Sequence, residues 1–186
     1  ETNINVLLCH HSPVVPPDHI EENVWKLCEK VKLNNEAHLD KCYAVFISNP
    51  NQTLLYEIKK LDTIMKAWWF GLVLFDYHVI FLIACPDDGC FVFDLDSSLT
   101  FPSSFETYIE KTFYSSTRFS EQFISLFRMV NATDYLGMFS SDRRHMKEPN
   151  GTWISPPPTW PLIKAPGMFF VGLVTLSLIF PARDDL

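Results

Sequence analysis

The chain has 186 residues, of which 47% are hydrophobic and 15% aromatic, so it has the length and apolar content for one domain with a real core and is not a disordered chain. A net charge of −7 excludes the basic surface that nucleic acid or an anionic membrane demands. The longest apolar stretch, Met168–Phe180, falls short of the roughly eighteen residues of a membrane span and reads as a buried strand or helix.

Residues 1–17 end in SPVVPP and read as an irregular arm. Asp18 and Glu21 then have the spacing of a capping box. Ile20, Val24, Leu27, Cys28 and Val31 recur at helical spacing, while Glu22, Lys26, Glu29 and Lys30 lie mostly off that stripe. This predicts an amphipathic helix opening at Asp18. CYAVFIS (Cys42–Ser48) is rich in strand formers and is closed by the turn residues NPNQ. Residues 54–68 are expected to be helical. Leu72–Cys85 reads as one long buried strand, Pro86–Gly89 as a turn and Cys90–Asp96 as the return strand.

Phe105–Phe113 is expected to be a helix, Glu121–Val130 a strand or a helix, and Ala132–Phe139 a short helix. A polar run, Ser140–Trp153, follows, and Pro156–Pro161 must be extended. No internal repeat is present. The order of elements predicts an α+β fold with a mostly antiparallel sheet. The five cysteines, Cys9, Cys28, Cys42, Cys85 and Cys90, are odd in number and form no CxxC pair, as suits a reduced, intracellular protein. The N-x-T sequons at Asn51, Asn131 and Asn150 are read as chance.

The chemistry concentrates on the predicted hairpin. His78 sits mid-strand among apolar residues, where an imidazole must find a partner. Asp94 and Asp96 lie on the return strand, which disfavours carboxylates. Opposed residues of an antiparallel pair share a constant index sum. An index sum of 172 sets His78 directly opposite Asp94, 174 sets them on a diagonal of one face, and an odd sum puts them on opposite faces. A carboxylate on one ring nitrogen fixes the tautomer and leaves the other nitrogen to activate a nucleophile. The same pair also serves as a buried couple that only satisfies itself. A metal site is the weaker reading, because His78 has no H-x-H or C-x-x-C partner and Cys9, His10 and His11 lie in the arm.

Several ordered motifs carry a family resemblance: EENVWKLCE from Glu21, CYAVFISN from Cys42, DYHVI from Asp76, FDLD from Phe93, LTFPSSFETYIE from Leu99, FRMVNATDYLGMFSSDRRHMK from Phe127 and GTWISPPPTWPLI from Gly151. Over about residues 21–50 and 72–163 the chain resembles the protein N-terminal glutamine amidohydrolases. The resemblance implies a papain- or transglutaminase-like core, with the antiparallel sheet packed against the N-terminal helix. It implies a cytoplasmic and nuclear hydrolase of the N-degron pathway that converts an N-terminal glutamine to glutamate and ammonia. It further implies a Cys-His-Asp triad, no metal or organic cofactor, protein or peptide substrates with N-terminal glutamine, and a monomer.

In that family the cysteine opens a helix immediately before EEN, and the histidine and aspartate map to His78 and Asp94. Ile20 stands at the nucleophile position and offers no nucleophile, so this chain is expected to lack the activity as it stands. Cys28 corresponds to a second, interior cysteine and is expected to be core. Asp76, Tyr77 and the SSDRRHMK loop are expected to line the substrate cleft, with Asp76 either the acidic group for the substrate's α-ammonium or a solvated strand end. Arg143, Arg144 and His145 are expected to form a solvated loop, and Trp153 and Trp160 to pack beside the Pro-rich segment. The domain is expected to run from residue 1 to 186, with 1–19 and 164–186 divergent from the family, as is Leu54–Phe75 in part.

Overall fold

A computed structural model of the chain describes residues 19–49, 54–56, 73–85, 89–113 and 124–165. Helix α1 (Ile20–Asn35) forms on the expected stripe, with Val24, Leu27, Cys28 and Val31 all buried. Its N-cap is His19, whose carbonyl accepts the Asn23 N–H at 3.0 Å and whose side chain makes no capping bond. The expected cap residue, Asp18, lies outside the described residues, and the Glu21 side chain turns instead to Tyr77. A 3-10 turn, Glu36–Lys41, leads from the helix into strand β1 (Cys42–Ser48).

The remaining strands are β2 (Leu54–Tyr56), β3 (Val73–Phe75), β4 (Tyr77–Cys85), β5 (Gly89–Phe93), β6 (Ser103–Ser104) and β7 (Leu126–Asn131). The main sheet has the order β6-β5-β4-β1-β7 with every neighbouring pair antiparallel, and β2 pairs with β3 separately. An α+β class with an antiparallel sheet is therefore the observed one. Two expectations are corrected. Leu54–Tyr56 is a strand, not the start of a helix, and the rest of that expected helix lies outside the described residues. The long strand from Leu72 is broken by a bend at Asp76, so β3 and β4 belong to different sheets. The turn 86–88, the arm 1–17 and Met168–Phe180 also lie outside the described residues.

The period-two alternation of β1 and β4 builds a core on each side of the sheet. On one face Ala44, Phe46, Val79, Phe81, Ile83 and Phe93 meet the apolar stripe of α1. On the other, Val45, Ile47, Ile80, Leu82 and Val92 pack with Tyr108 of helix α2 (Phe105–Thr112). Each fully buried side chain of this kind contributes about 1.5–3 kcal/mol relative to exposure. Helix α2 starts where the Ser104 hydroxyl accepts the Thr107 N–H at 3.3 Å, and helix α3 (Ala132–Met138) where Asn131 accepts the Thr133 N–H at 2.9 Å. After α3 the chain loops back on itself. Ser141 N–H donates to the Ile163 carbonyl and Ile163 N–H to the Ser141 hydroxyl, both at 2.9 Å. Among the described residues no helix is long and apolar enough to cross a membrane.

Candidate active site

Strand pairing decides where the hairpin's polar residues meet. The β4–β5 ladder pairs Phe81 with Phe93 and Leu82 with Val92, an index sum of 174 throughout. Continued one step, that register sets Asp94 across from Ile80 and diagonal to His78, on the face that carries Tyr108. His78 Nε2 lies 3.2 Å from Asp94 Oδ1, and both side chains are 3% exposed. Strand β5 ends at Phe93, so Asp94 is the first residue past the ladder. There Asp94 Oδ1 accepts the Asp96 N–H at 3.0 Å and Oδ2 accepts the Tyr108 hydroxyl at 2.9 Å. Tyr108 is a site residue that the sequence reading missed. The available signal was the buried Asp94, whose second oxygen needs a donor from across the core.

Burial works to lower the His78 pKa, because it penalises the imidazolium. The Asp94 carboxylate more than offsets this, with Asp96 and Glu21 adding to it, so the pKa is raised above the ordinary histidine value. The ring nitrogen turned toward the carboxylate is Nε2, with Nδ1 the other ring nitrogen. His78, Asp94 and Asp96 each present a ligand atom within 4.8 Å of the others, which makes them the group among the described residues that could hold a cation.

Ile20 is the first residue of α1 and lines one small pocket together with Val79, Phe93, Asp94 and Asp96. The start of the helix is thus brought against the end of the hairpin that carries the carboxylates. The backbone N–H groups of the first helical turn have no intrahelical acceptors and carry the positive end of the helix dipole. Cys28 is wholly buried two turns further on, and burial pushes its thiol far up, so it offers no thiolate. Cys9 lies outside the described residues.

Tyr77 is half-buried and its hydroxyl donates to Glu21 Oε1. Burial pushes the Tyr77 pKa up, and the Glu21 charge raises it further. Asp76 is exposed at the bend, where its carboxylate accepts the Tyr77 N–H at 3.0 Å.

Arg143 and Glu22 depart from expectation. Instead of lying in a solvated loop, Arg143 donates to Glu22 through Nε at 2.7 Å and Nη2 at 2.6 Å, and the two side chains are 10% and 5% exposed. Trp160 Nε1 donates to the same carboxylate at 2.7 Å, and Arg143 Nη2 reaches the Trp160 carbonyl at 3.2 Å. Burial would raise the Glu22 pKa, but these bonds lower it below the ordinary value. Arg144 and His145 are exposed as expected, with Arg144 clamped on Asp142 at 2.5 Å. Trp153 is exposed beneath Lys147, whose Nζ sits 4.6 Å from the ring centroid.

The family model described as N-terminal glutamine amidase matches residues 17–170 of this chain. The protein N-terminal glutamine amidohydrolase of Drosophila ananassae is 44% identical over 145 residues, covering 78% of this chain and 69% of the relative. The proteins of the same name from Drosophila virilis and Drosophila grimshawi match to the same extent.

Proposed function

The chain belongs to the N-terminal glutamine amidase family, and on that premise we propose that it holds the His–Asp half of a thiol amidohydrolase site for N-terminal glutamine, with Ile20 in the nucleophile's place. The observation that carries this reading is the buried 3.2 Å contact between His78 Nε2 and Asp94 Oδ1, with Asp94 lining the same small pocket as Ile20. On this reading the sheet and α1 form a papain- or transglutaminase-like core, and residues 1–186 are one amidohydrolase-like domain. Tyr77 and Asp76 border the approach of the substrate.

The chemistry needs a thiol at position 20. A cysteine there sits at a helix N-terminus, where the dipole and free N–H groups favour the thiolate. His78 Nδ1 takes the thiol proton, and the sulfur attacks the δ-carbon of the glutamine side chain. The oxyanion is held by backbone N–H groups of the first helical turn. The C–N bond breaks as His78 returns the proton to the leaving nitrogen, which departs as ammonia and leaves a thioester. Water, deprotonated by His78, hydrolyses the thioester to glutamate and the free thiol. Asp94, steadied by Tyr108, orients the imidazole and stabilises its cation throughout.

Isoleucine has no group that can attack, so the chain as it stands binds N-terminal glutamine of proteins without hydrolysing it. It acts as a monomer in the cytoplasm or nucleus and needs no cofactor. Ammonia release from a peptide beginning with glutamine tests this: Ile20→Cys turns over, and the unaltered chain does not. Equal release by both contradicts the assignment of position 20.

A further inference from the structure

Two neighbouring glutamates open α1 and meet different partners. Glu22 is neutralised by Arg143 and bonded by Trp160. Glu21 receives neutral donors: its Oε1 accepts the Tyr77 hydroxyl, and its backbone carbonyl accepts the Tyr135 hydroxyl at 3.1 Å. Its side chain is half-buried, beside the position where the nucleophile belongs. Among the described residues no Lys or Arg forms an ion pair with it.

We propose that the Glu21 carboxylate receives the α-ammonium group of the substrate's first residue and so restricts the site to chain termini. The assignment rests on the glutamine reading above and names the residue that makes that reading specific for an N-terminus. An N-terminal glutamine differs from an internal one by its α-ammonium. In an extended side chain the α-nitrogen lies roughly 5 Å from the δ-carbon, by bonded dimensions. Neighbouring side chains of a helix diverge, but the Glu21 carboxylate turns to Tyr77, the residue that precedes His78 on β4, and so comes to the strand that carries the imidazole. The Glu21 charge also raises the His78 pKa, after the larger effects of Asp94 and Asp96. Burial raises the Glu21 pKa against the pull of the Tyr77 bond, the condition of a carboxylate that an arriving cation stabilises.

Asp76 is the weaker choice. Its carboxylate is exposed at the bend and already accepts the Tyr77 N–H at 3.0 Å. Water and salt screen an ion pair there. If Glu21 served only as an acidic residue complementing the helix dipole, its removal would cost stability and leave peptide discrimination unchanged.

The test is calorimetric titration of the full chain with a short peptide beginning with glutamine, its N-acetylated form, and a free-amine peptide beginning with alanine. The unaltered chain binds the free-amine glutamine peptide about tenfold or more tighter than the acetylated one, the scale of one charge-assisted bond. Glu21→Gln abolishes that ratio and Glu21→Asp keeps part of it. A ratio that persists in Glu21→Gln, or that is lost in Asp76→Asn and not in Glu21→Gln, overturns the assignment. So does the absence of any preference in the unaltered chain, including the absence of binding. Thermal unfolding of each variant separates loss of the carboxylate from loss of the fold, and Glu21→Asp carries the test where Glu21→Gln does not fold. The glutamine-to-alanine comparison reads the function itself. Retained amine preference without glutamine preference sinks the glutamine reading and leaves Glu21 as the ammonium site.

Discussion

Arg143 closes on Glu22 with two parallel hydrogen bonds, Nε to Oε1 at 2.7 Å and Nη2 to Oε2 at 2.6 Å, across 121 residues of sequence. The bond ties the first turn of α1 to the returning loop, and Trp160 adds a third donor to the same carboxylate. In the proposed reaction the helix start is the part that must be held still, because position 20 would have to approach His78 and Asp94.

Breaking this pair from one side leaves a buried charge. Arg143→Met is expected to cost about 3–5 kcal/mol in urea unfolding, the usual penalty for an orphaned buried ion. Adding Glu22→Gln to Arg143→Met recovers part of the loss, because the stranded carboxylate is removed. Strictly additive losses in the double-mutant cycle would show that the two residues are not coupled.

The same carboxylate shapes acid stability. The Glu22 pKa is depressed in the folded chain relative to its ordinary value of 4.5. Its contribution is therefore present above the unfolded value and is lost as pH falls through the folded one. Glu22→Gln should flatten the fall in stability below about pH 4.5, the onset set by the unfolded carboxylate. An acid limb of unchanged slope would assign acid unfolding to other groups.

His78 titrates in the opposite sense. Its pKa is raised, so its contribution is fully present below the unfolded value of 6.5 and is lost as pH rises through the folded value. In Asp94→Asn the counter-charge is gone while burial remains, so the His78 pKa drops below its value in the unaltered chain. Imidazole proton NMR follows this directly, with His78→Gln identifying the resonance. A titration indifferent to Asp94 would separate the two residues chemically.

The thiols give a separate reading of the site. Burial holds the Cys28 thiol far above its ordinary range and raises Cys42 to about 12, with Cys85 and Asp40 contributing. Neither should be alkylated by iodoacetamide at neutral pH in the native chain. In Ile20→Cys the new thiol should react at least about tenfold faster than either, as expected of a half-buried cysteine at a helix N-terminus. Peptide mapping after brief labelling resolves the sites. Labelling of Cys28 ahead of position 20 would contradict the buried core described above.

The hairpin was legible because its alternation is strong. Val79, Phe81 and Ile83 bury on one face and Ile80 and Leu82 on the other, and the index sum of 174 is one of the two even values considered for bringing His78 to Asp94. The apolar stripe of α1 was equally clear. Other features depend on partners distant in sequence. Glu22 reads as a solvated helix residue until Arg143 and Trp160 are brought to it, and Tyr108 reads as ordinary core until Asp94 needs its hydroxyl. The bend at Asp76 breaks an apolar run with no glycine or proline to signal it. Leu54–Tyr56 is a strand only because Val73–Phe75 pairs with it.

In the proposed function a sulfur atom at position 20 is all that separates this chain from turnover. The most direct test of that claim is ammonia release from a glutamine-initiated peptide by Ile20→Cys, alongside the unaltered chain and Ile20→Cys carrying His78→Ala. Turnover is predicted in Ile20→Cys alone, with the His78→Ala form reduced by roughly 100-fold or more, as loss of a general acid–base demands. Release by the unaltered chain at the rate of Ile20→Cys, or full activity without His78, would contradict it.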